Sequence, residues 1–178
     1  LNTVHGELTI RNLPRILSEV QRAFEAPIAG IEARFPYFMQ KQAPTSGLRS
    51  LMEYPCRFSA TMDGQEQTFL LGARIPVESA ETPKTGSNAR VSLERSVVDV
   101  QLRSRDFVWL EDLIETVESC GSVPVYPLLT SKDEKALLDV AFSRPTPMQA
   151  LGQSVVCALS QKWGTDMIHV RVESQSAM

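Results

Sequence analysis

C-R-F-S-A-T-M-D-G-Q-E-Q-T-F-L-L-G-A-R-I-P-V, residues 56–77, decides the fold class. Cys56, Phe58, Ala60 and Met62 alternate with Arg57, Ser59 and Thr61, the period of a strand buried on one face. Asp63-Gly64 follows, a strong short-range hairpin signal. The return stretch places Phe69, Leu71, Ala73, Ile75 and Val77 on one face. The two halves predict a long antiparallel hairpin.

Upstream, Ala29, Ile31, Ala33 and Phe35 alternate with Gly30, Glu32 and Arg34, which predicts another half-buried strand, and Lys41 to Gly47 reads as a turn. Before it, Asn12 is a helix-capping residue and Pro14 suits a first turn. Leu13, Ile16, Leu17, Val20 and Phe24 then form an apolar helical stripe that needs a surface to cover. Downstream, residues 78–89 are polar and rich in turn formers and read as a loop. Strand character resumes from Val91, with Val98, Val100 and Leu102 on one side.

The second half is helical. Asp106 can cap a helix with Phe107, Leu110, Leu113, Ile114 and Val117 inward, closed by Gly121. Ser131-Lys-Asp-Glu134 reads as a capping box opening a helix with Leu137, Leu138 and Ala141 inward. Thr146-Pro-Met-Gln149 opens another the same way, with Leu151, Val155 and Leu159 on one side and Gly164 at its end. Ile168, Val170 and Val172 form a last strand. Antiparallel strands with helices grouped together predict an α+β fold, with the helices laid on one face of the sheet. No repeat or composition break marks a second domain, so residues 1–178 are expected to form one.

The composition bounds the partners. The 178 residues are 43% hydrophobic and 22% charged, a globular balance. A net charge of −3 offers no electrostatic case for nucleic acid or an anionic membrane. No apolar run approaches the roughly 20 residues that span a bilayer. The three cysteines, Cys56, Cys120 and Cys157, include no C-x-x-C pair and predict free thiols in a reducing cytoplasm. The chain opens at Leu1 without a charged segment or cleavage site, so no signal peptide is expected.

Phe35-Pro-Tyr-Phe38, Lys41, Ala43-Pro-Thr-Ser-Gly47 and Ser50-Leu-Met-Glu-Tyr54 resemble the F-P-Y-F…K-x-A-P-V-S-G…S-L-M-D-Y block of the type IB GTP cyclohydrolases. Ile75-Pro-Val77 stands where the family reads V-P-V. Trp109-Leu-Glu-Asp-Leu-Ile114 resembles its W-I-E-D-L-I helix, and Val125-Tyr-Pro-Leu-Leu129 with Asp133-Glu-Lys135 its L-Y-x-L-L-K-R-P-D-E-K segment. The matches keep their order over nearly the whole chain. The resemblance implies a tunnelling fold (T-fold), a homo-oligomer, expected to be a tetramer, and GTP or a related purine or pterin as ligand. The implied reaction is metal-dependent hydrolysis of GTP to dihydroneopterin triphosphate and formate. It also implies that the chain starts past the family's H-M-S-R-F helix and stops about where E-S-I-H begins, short of the family's last strand.

Opening the imidazole ring of GTP needs an activated water at C8, and a divalent metal such as zinc or manganese supplies one by lowering the water's pKa. The family draws its ligands from C-P-C-S-K, A-H-N-Q-R, P-D-E-K and E-S-I-H. Of these only Glu134, in the D-E-K position, carries over, as the candidate metal ligand. Residues 78–90 contain neither Cys nor His, with Asn88 and Arg90 echoing the N-Q-R end, and Thr130 and Ser131 replace the family's Lys and Arg. Two readings therefore stand: a metal-dependent cyclohydrolase whose other ligands lie outside this chain, and a metal-free, inactive T-fold paralogue acting as a binding or scaffold protein. Lys41, within the matching block, is the candidate contact for substrate phosphate; a solvated lysine is the bland alternative.

The remaining candidates have structural readings. Glu134 also completes the expected capping box. Cys56 and Cys157 read as packing residues, and Cys120, at a helix end, has no histidine near it in sequence to act as a base. His169 falls on the polar side of its strand and His5 near the chain end. Lys84-Thr-Gly86 lacks the G-x-x-x-x-G-K-[ST] pattern of a phosphate loop.

Overall fold

In order along the chain, the elements are α1 (Leu13–Phe24), β1 (Ile28–Gln42), β2 (Arg49–Asp63), β3 (Glu66–Ala80), β4 (Leu93–Arg103), α2 (Leu110–Glu118), β5 (Val123–Pro124), α3 (Ser131–Ser143), α4 (Met148–Trp163) and β6 (Ile168–Ser174). The computed structural model describes residues 13–81, 93–103, 108–164 and 167–175. Asn12, His5, Asp106, Phe107, Val91 and the stretch with Lys84-Thr-Gly86, Asn88 and Arg90 lie outside them. No helix of the described residues is long and apolar enough to cross a membrane.

The strands form one antiparallel sheet in the order β1-β2-β3-β4-β6, with β5 beside β3. The alternation decides which side is buried. Tyr54 and Cys56 of β2, Leu71 to Val77 of β3 and Val98 to Leu102 of β4 present every second side chain to Leu113, Ile114 and Val117 of α2 and Leu151, Val155 and Leu159 of α4. Leu13 and Leu17 of α1 cover Ala29, Ala60 and Met62 on the same face. The α+β class and the one-sided helix layer expected from the sequence are both observed. The 63–64 hairpin is also present: Asp63 pairs with Glu66, and Gly64 sits at φ 58°, a turn conformation that glycine adopts without strain.

Several boundaries differ from expectation. Strand β1 runs on through Lys41 and Gln42, so the turn begins only at Ala43. Glu78, Ser79 and Ala80 are strand, because β4 and β5 supply ladder partners that a polar composition does not reveal. Val20 and Phe24 are exposed: β1 starts at Ile28, level with the hairpin tip, so the last turn of α1 overhangs the sheet. Leu138 is also exposed. Helix α2 is capped at Trp109 and ends at Ser119. Gly121 has a different role: a Cβ there would lie 3.1 Å from Val77 Cβ, so glycine lets the chain pass close to β3. The α4 cap is Pro147, without a side-chain bond, and Thr146 instead donates its N–H to Ser122 Oγ and accepts from Ala80 N–H.

One topological detail positions the site. Strand β2 pairs with β1 along its whole length but with β3 only from Cys56 to Asp63. Continuing this register would set Pro55 against Arg74 and, two residues on, Pro76 against Glu53, and proline has no N–H to donate. The sheet therefore splits at Pro55. Beyond the split, β5 pairs with β3 at Val77 and Glu78, and the end of α2 reaches the β1–β2 arm through Lys41 and Tyr54.

Candidate functional site

The split gathers residues from four segments. Lys41, at the end of β1, forms an ion pair with Glu118, the last residue of α2. Tyr54 of β2 donates its hydroxyl to the other Glu118 oxygen at 2.7 Å. The Tyr126 ring lies 5.9 Å from Lys41 Nζ. The side chains of Lys41 and Glu118 are only 12% and 5% exposed, and Tyr54 is fully buried. A carboxylate at a helix C-terminus meets the negative end of the helix dipole, and the bonds from Lys41 and Tyr54 offset that repulsion. Burial first, and then the hydrogen bond to Glu118, push the Tyr54 hydroxyl far above its ordinary range. Tyr37, on the same face of β1, bonds Glu111 of α2 in the same manner and is pushed up to about 12, by burial first and that bond second.

A second cluster joins the 43–47 turn to α3. Asp133 is fully buried and accepts from Thr45 N–H at 2.9 Å, Ser46 N–H at 2.7 Å and Ser46 Oγ at 2.7 Å. It also accepts from Thr130 N–H and Thr130 Oγ1. Burial pushes the carboxyl up, but the bonds from Thr130 and Ser46 outweigh it and hold it well below the usual carboxylate range. This corrects the capping box expected at Ser131 and Glu134: the cap is Thr130 and its partner is Asp133, one residue earlier. The buried carboxylate of Asp133 favours that register, because it needs donors and Thr45 and Ser46 of the turn supply them.

The shift leaves Glu134 exposed on the first turn of α3, bound through its backbone N–H to Thr130 O at 3.0 Å. Among the described residues, no group of three or more His, Cys, Asp or Glu side chains could hold a metal ion. A single exposed carboxylate does not fit a catalytic divalent metal, which needs several protein ligands. His169 stands on the polar face, opposite Gln101. Burial pushes the Cys56 thiol up to about 11 and raises Cys120 as well, so neither is poised as a thiolate. Cys157 is exposed.

Glu118 and Asp133 were not singled out from the sequence, although both left a signal. Glu118 follows Ile114 by one helical turn and so falls on the apolar stripe of its helix, an unusual place for an acid. Thr130-x-x-Asp133 satisfies the capping pattern as well as Ser131-x-x-Glu134 does.

Comparison with known proteins gives a consistent result. The model of the family described as "Type I GTP cyclohydrolase folE2" matches residues 1–177. The GTP cyclohydrolase FolE2 of Syntrophotalea carbinolica is 39% identical over 99% of this chain and 65% of its own length. That of Geotalea uraniireducens is 42% identical over 82% of this chain and 54% of its own. The chain thus spans between half and two thirds of the length of these relatives. Among solved structures, the uricase of Arthrobacter globiformis is similar with a TM-score of 0.44 and 10% identity, over 97% of this chain and 72% of that one. On the family match across nearly every residue, this chain belongs to the type I GTP cyclohydrolase folE2 family.

Proposed function

We propose that the protein acts as a GTP cyclohydrolase, hydrolysing GTP to dihydroneopterin triphosphate and formate. One observation carries this reading beyond the family match. The two blocks that most resemble the family, Ala43-Pro-Thr-Ser-Gly47 and Asp133-Glu-Lys135, are 87 positions apart at Ser46 and Asp133, yet they are bonded directly through three hydrogen bonds. The fold thus assembles the matching residues into one place, beside the buried Lys41–Glu118–Tyr54 cluster. Asp133 fixes the 43–47 turn against α3, and Glu118 fixes Lys41 at the end of β1. In this reading Lys41 is the contact for substrate phosphate and Glu134 the candidate metal ligand.

A divalent metal would supply the activated water for attack at C8. The side chains described here do not compose its site, so no step is assigned through it. The protein is further proposed to work as a homo-oligomer, a tetramer by resemblance. In support, β1 is a 15-residue strand paired only with β2 among the described residues, and a long edge of this kind favours closed assembly.

The test is metal analysis with formate and pterin assays on the complete encoded protein and its Glu134→Gln variant. The wild type is expected to hold a divalent metal and release formate, and the variant to lose both while staying folded. A complete protein with neither metal nor formate release overturns the reading and leaves a metal-free binding role. Light scattering at tens of micromolar, roughly the range where such association is seen, checks the assembly.

A further inference from the structure

Residues 36–55, the arm formed by the end of β1, the 43–47 turn and the start of β2, hang on the rest of the molecule by their side chains. At Cys56 the ladder still reaches β3, but from Pro55 back to Arg49 strand β2 keeps only β1 as a partner. Among the described residues, no ladder or turn bond between backbone groups joins this arm to another element. Its apolar cover is thin. Ala43 and Tyr54 are buried and Tyr37, Met39 and Met52 partly so, while Phe38 and Leu51 are exposed. At its base, Pro36 and Pro55 border a concavity of about 560 Å³, which leaves open space beside the point where the sheet narrows.

The polar bonds that hold the arm to the helices are all of one kind: the donor lies on the arm and the acceptor is a helix carboxylate. Tyr37 donates to Glu111 at the start of α2. Lys41 and Tyr54 donate to Glu118 at its end. Thr45 and Ser46 donate to Asp133 of α3. Bonds to a charged acceptor are individually strong, but breaking these leaves every ladder of β3, β4 and β6 intact. A two-stranded ribbon released from its support is marginally stable. Segments with few buried apolar contacts open at lower free energy than the core.

We propose that residues 36–55 form a strap that opens as one unit at the Pro36–Pro55 step, ahead of global unfolding, and that Glu111, Glu118 and Asp133 latch it shut. The step is where the sheet narrows to two strands, so the chain parts most easily there. Opening separates Lys41 from Glu118 and uncovers both, so the strap controls when the ammonium group can be reached. That consequence rests on Lys41 being the phosphate contact of the cyclohydrolase reading; the opening itself does not.

The experiment is hydrogen–deuterium exchange on the full chain without substrate, comparing peptides from 36–42 and 49–55 with peptides from 70–77 and 96–102. In the wild type the arm peptides are expected to exchange together, about tenfold or more faster than the β3 and β4 peptides. Glu118→Gln should speed the arm by about a further tenfold, as for loss of a hydrogen bond to a charged group. Tyr37→Phe keeps the ring and deletes one latch, so it guards against misfolding, and it should speed the arm as well. Leu159→Ala, which thins the core beneath α4, should speed the β3 and β4 peptides and leave the arm peptides unchanged, because local opening does not pass through global unfolding. Arm and core peptides that share one rate and accelerate together in Leu159→Ala would overturn the proposal. So would arm exchange unchanged in both Glu118→Gln and Tyr37→Phe. A strap that opens as expected in a protein that releases no formate would stand, and the cyclohydrolase reading alone would fall.

Discussion

Replacing Lys41 by Met deletes the cation facing Glu118 while keeping an apolar stem of similar length beside Tyr126. The two side chains are 12% and 5% exposed, so water cannot take the place of the ammonium group. Removing one partner of a buried pair costs about 3–5 kcal/mol, whereas an exposed pair contributes about 0.2–1 kcal/mol. Tyr54 still donates to Glu118 at 2.7 Å, and a bond to a charged group is worth about 1.5–3 kcal/mol. The expected loss therefore sits at the lower end of the buried range, about 3 kcal/mol. With a urea slope of about 2 kcal/mol/M, the midpoint should fall by about 1.5 M. The double variant Lys41→Met with Glu118→Leu removes both charges and should regain much of that loss. A remainder of about 1–3 kcal/mol is expected, because the buried Tyr54 hydroxyl is then unpartnered. The assay is urea unfolding followed by far-ultraviolet circular dichroism and tryptophan fluorescence. A single-variant loss below about 1 kcal/mol would mean the pair behaves as a solvated one, and a double variant less stable than Lys41→Met would mean charge is not what holds this end of α2. Either result refutes the reasoning.

Gly72→Ala should destabilise by about 1–3 kcal/mol, because its Cβ would lie 3.0 Å from the Val100 carbonyl oxygen, a backbone atom that cannot swing aside; an unchanged thermal midpoint would count against this. Asp133→Asn places amide hydrogens against N–H and O–H donors, so hydrogen exchange at Thr45 and Ser46 should rise and the thermal midpoint fall. The native Asp133 carboxyl titrates below its ordinary 3.8, so its contribution is present above that value and lost as pH falls below it; Asp133→Asn should flatten that acid limb, and an identical limb in both proteins would contradict the assignment. Cys56 and Tyr37 are raised to about 11 and about 12 from 9.0 and 10.0, by burial first in each case. Their contributions are complete below the ordinary values and decline as pH rises through the folded ones. Stability should therefore drop progressively above pH 9, less steeply in Cys56→Val, and a thiol reagent at pH 8 should label Cys157 but not Cys56 before unfolding.

Strand alternation was sufficient to assign β1 to β4 and β6 to a one-sided antiparallel sheet, and helical spacing to assign Leu113, Ile114, Leu151, Val155 and Leu159 to its cover. Period and turn chemistry are local properties, so residues such as Cys56 to Val77 declare their pleat without reference to the rest of the chain. Only the tertiary structure decided where that pleat stops being shared. The ladder between β2 and β3 stops where the register would bring in Pro55 opposite Arg74 and then Pro76 opposite Glu53, and neither proline alone predicts it. The split in turn makes Lys41 a partner of Glu118, 77 positions away, and brings the cross-strand pair Arg34 and Arg57 to the edge of a cavity with Arg74. The choice between two overlapping capping boxes was likewise undecidable locally, since Thr130–Asp133 and Ser131–Glu134 both fit the pattern. Ser46 settled it from 87 positions away, because the buried Asp133 carboxylate requires donors and the fold offers it the 43–47 turn.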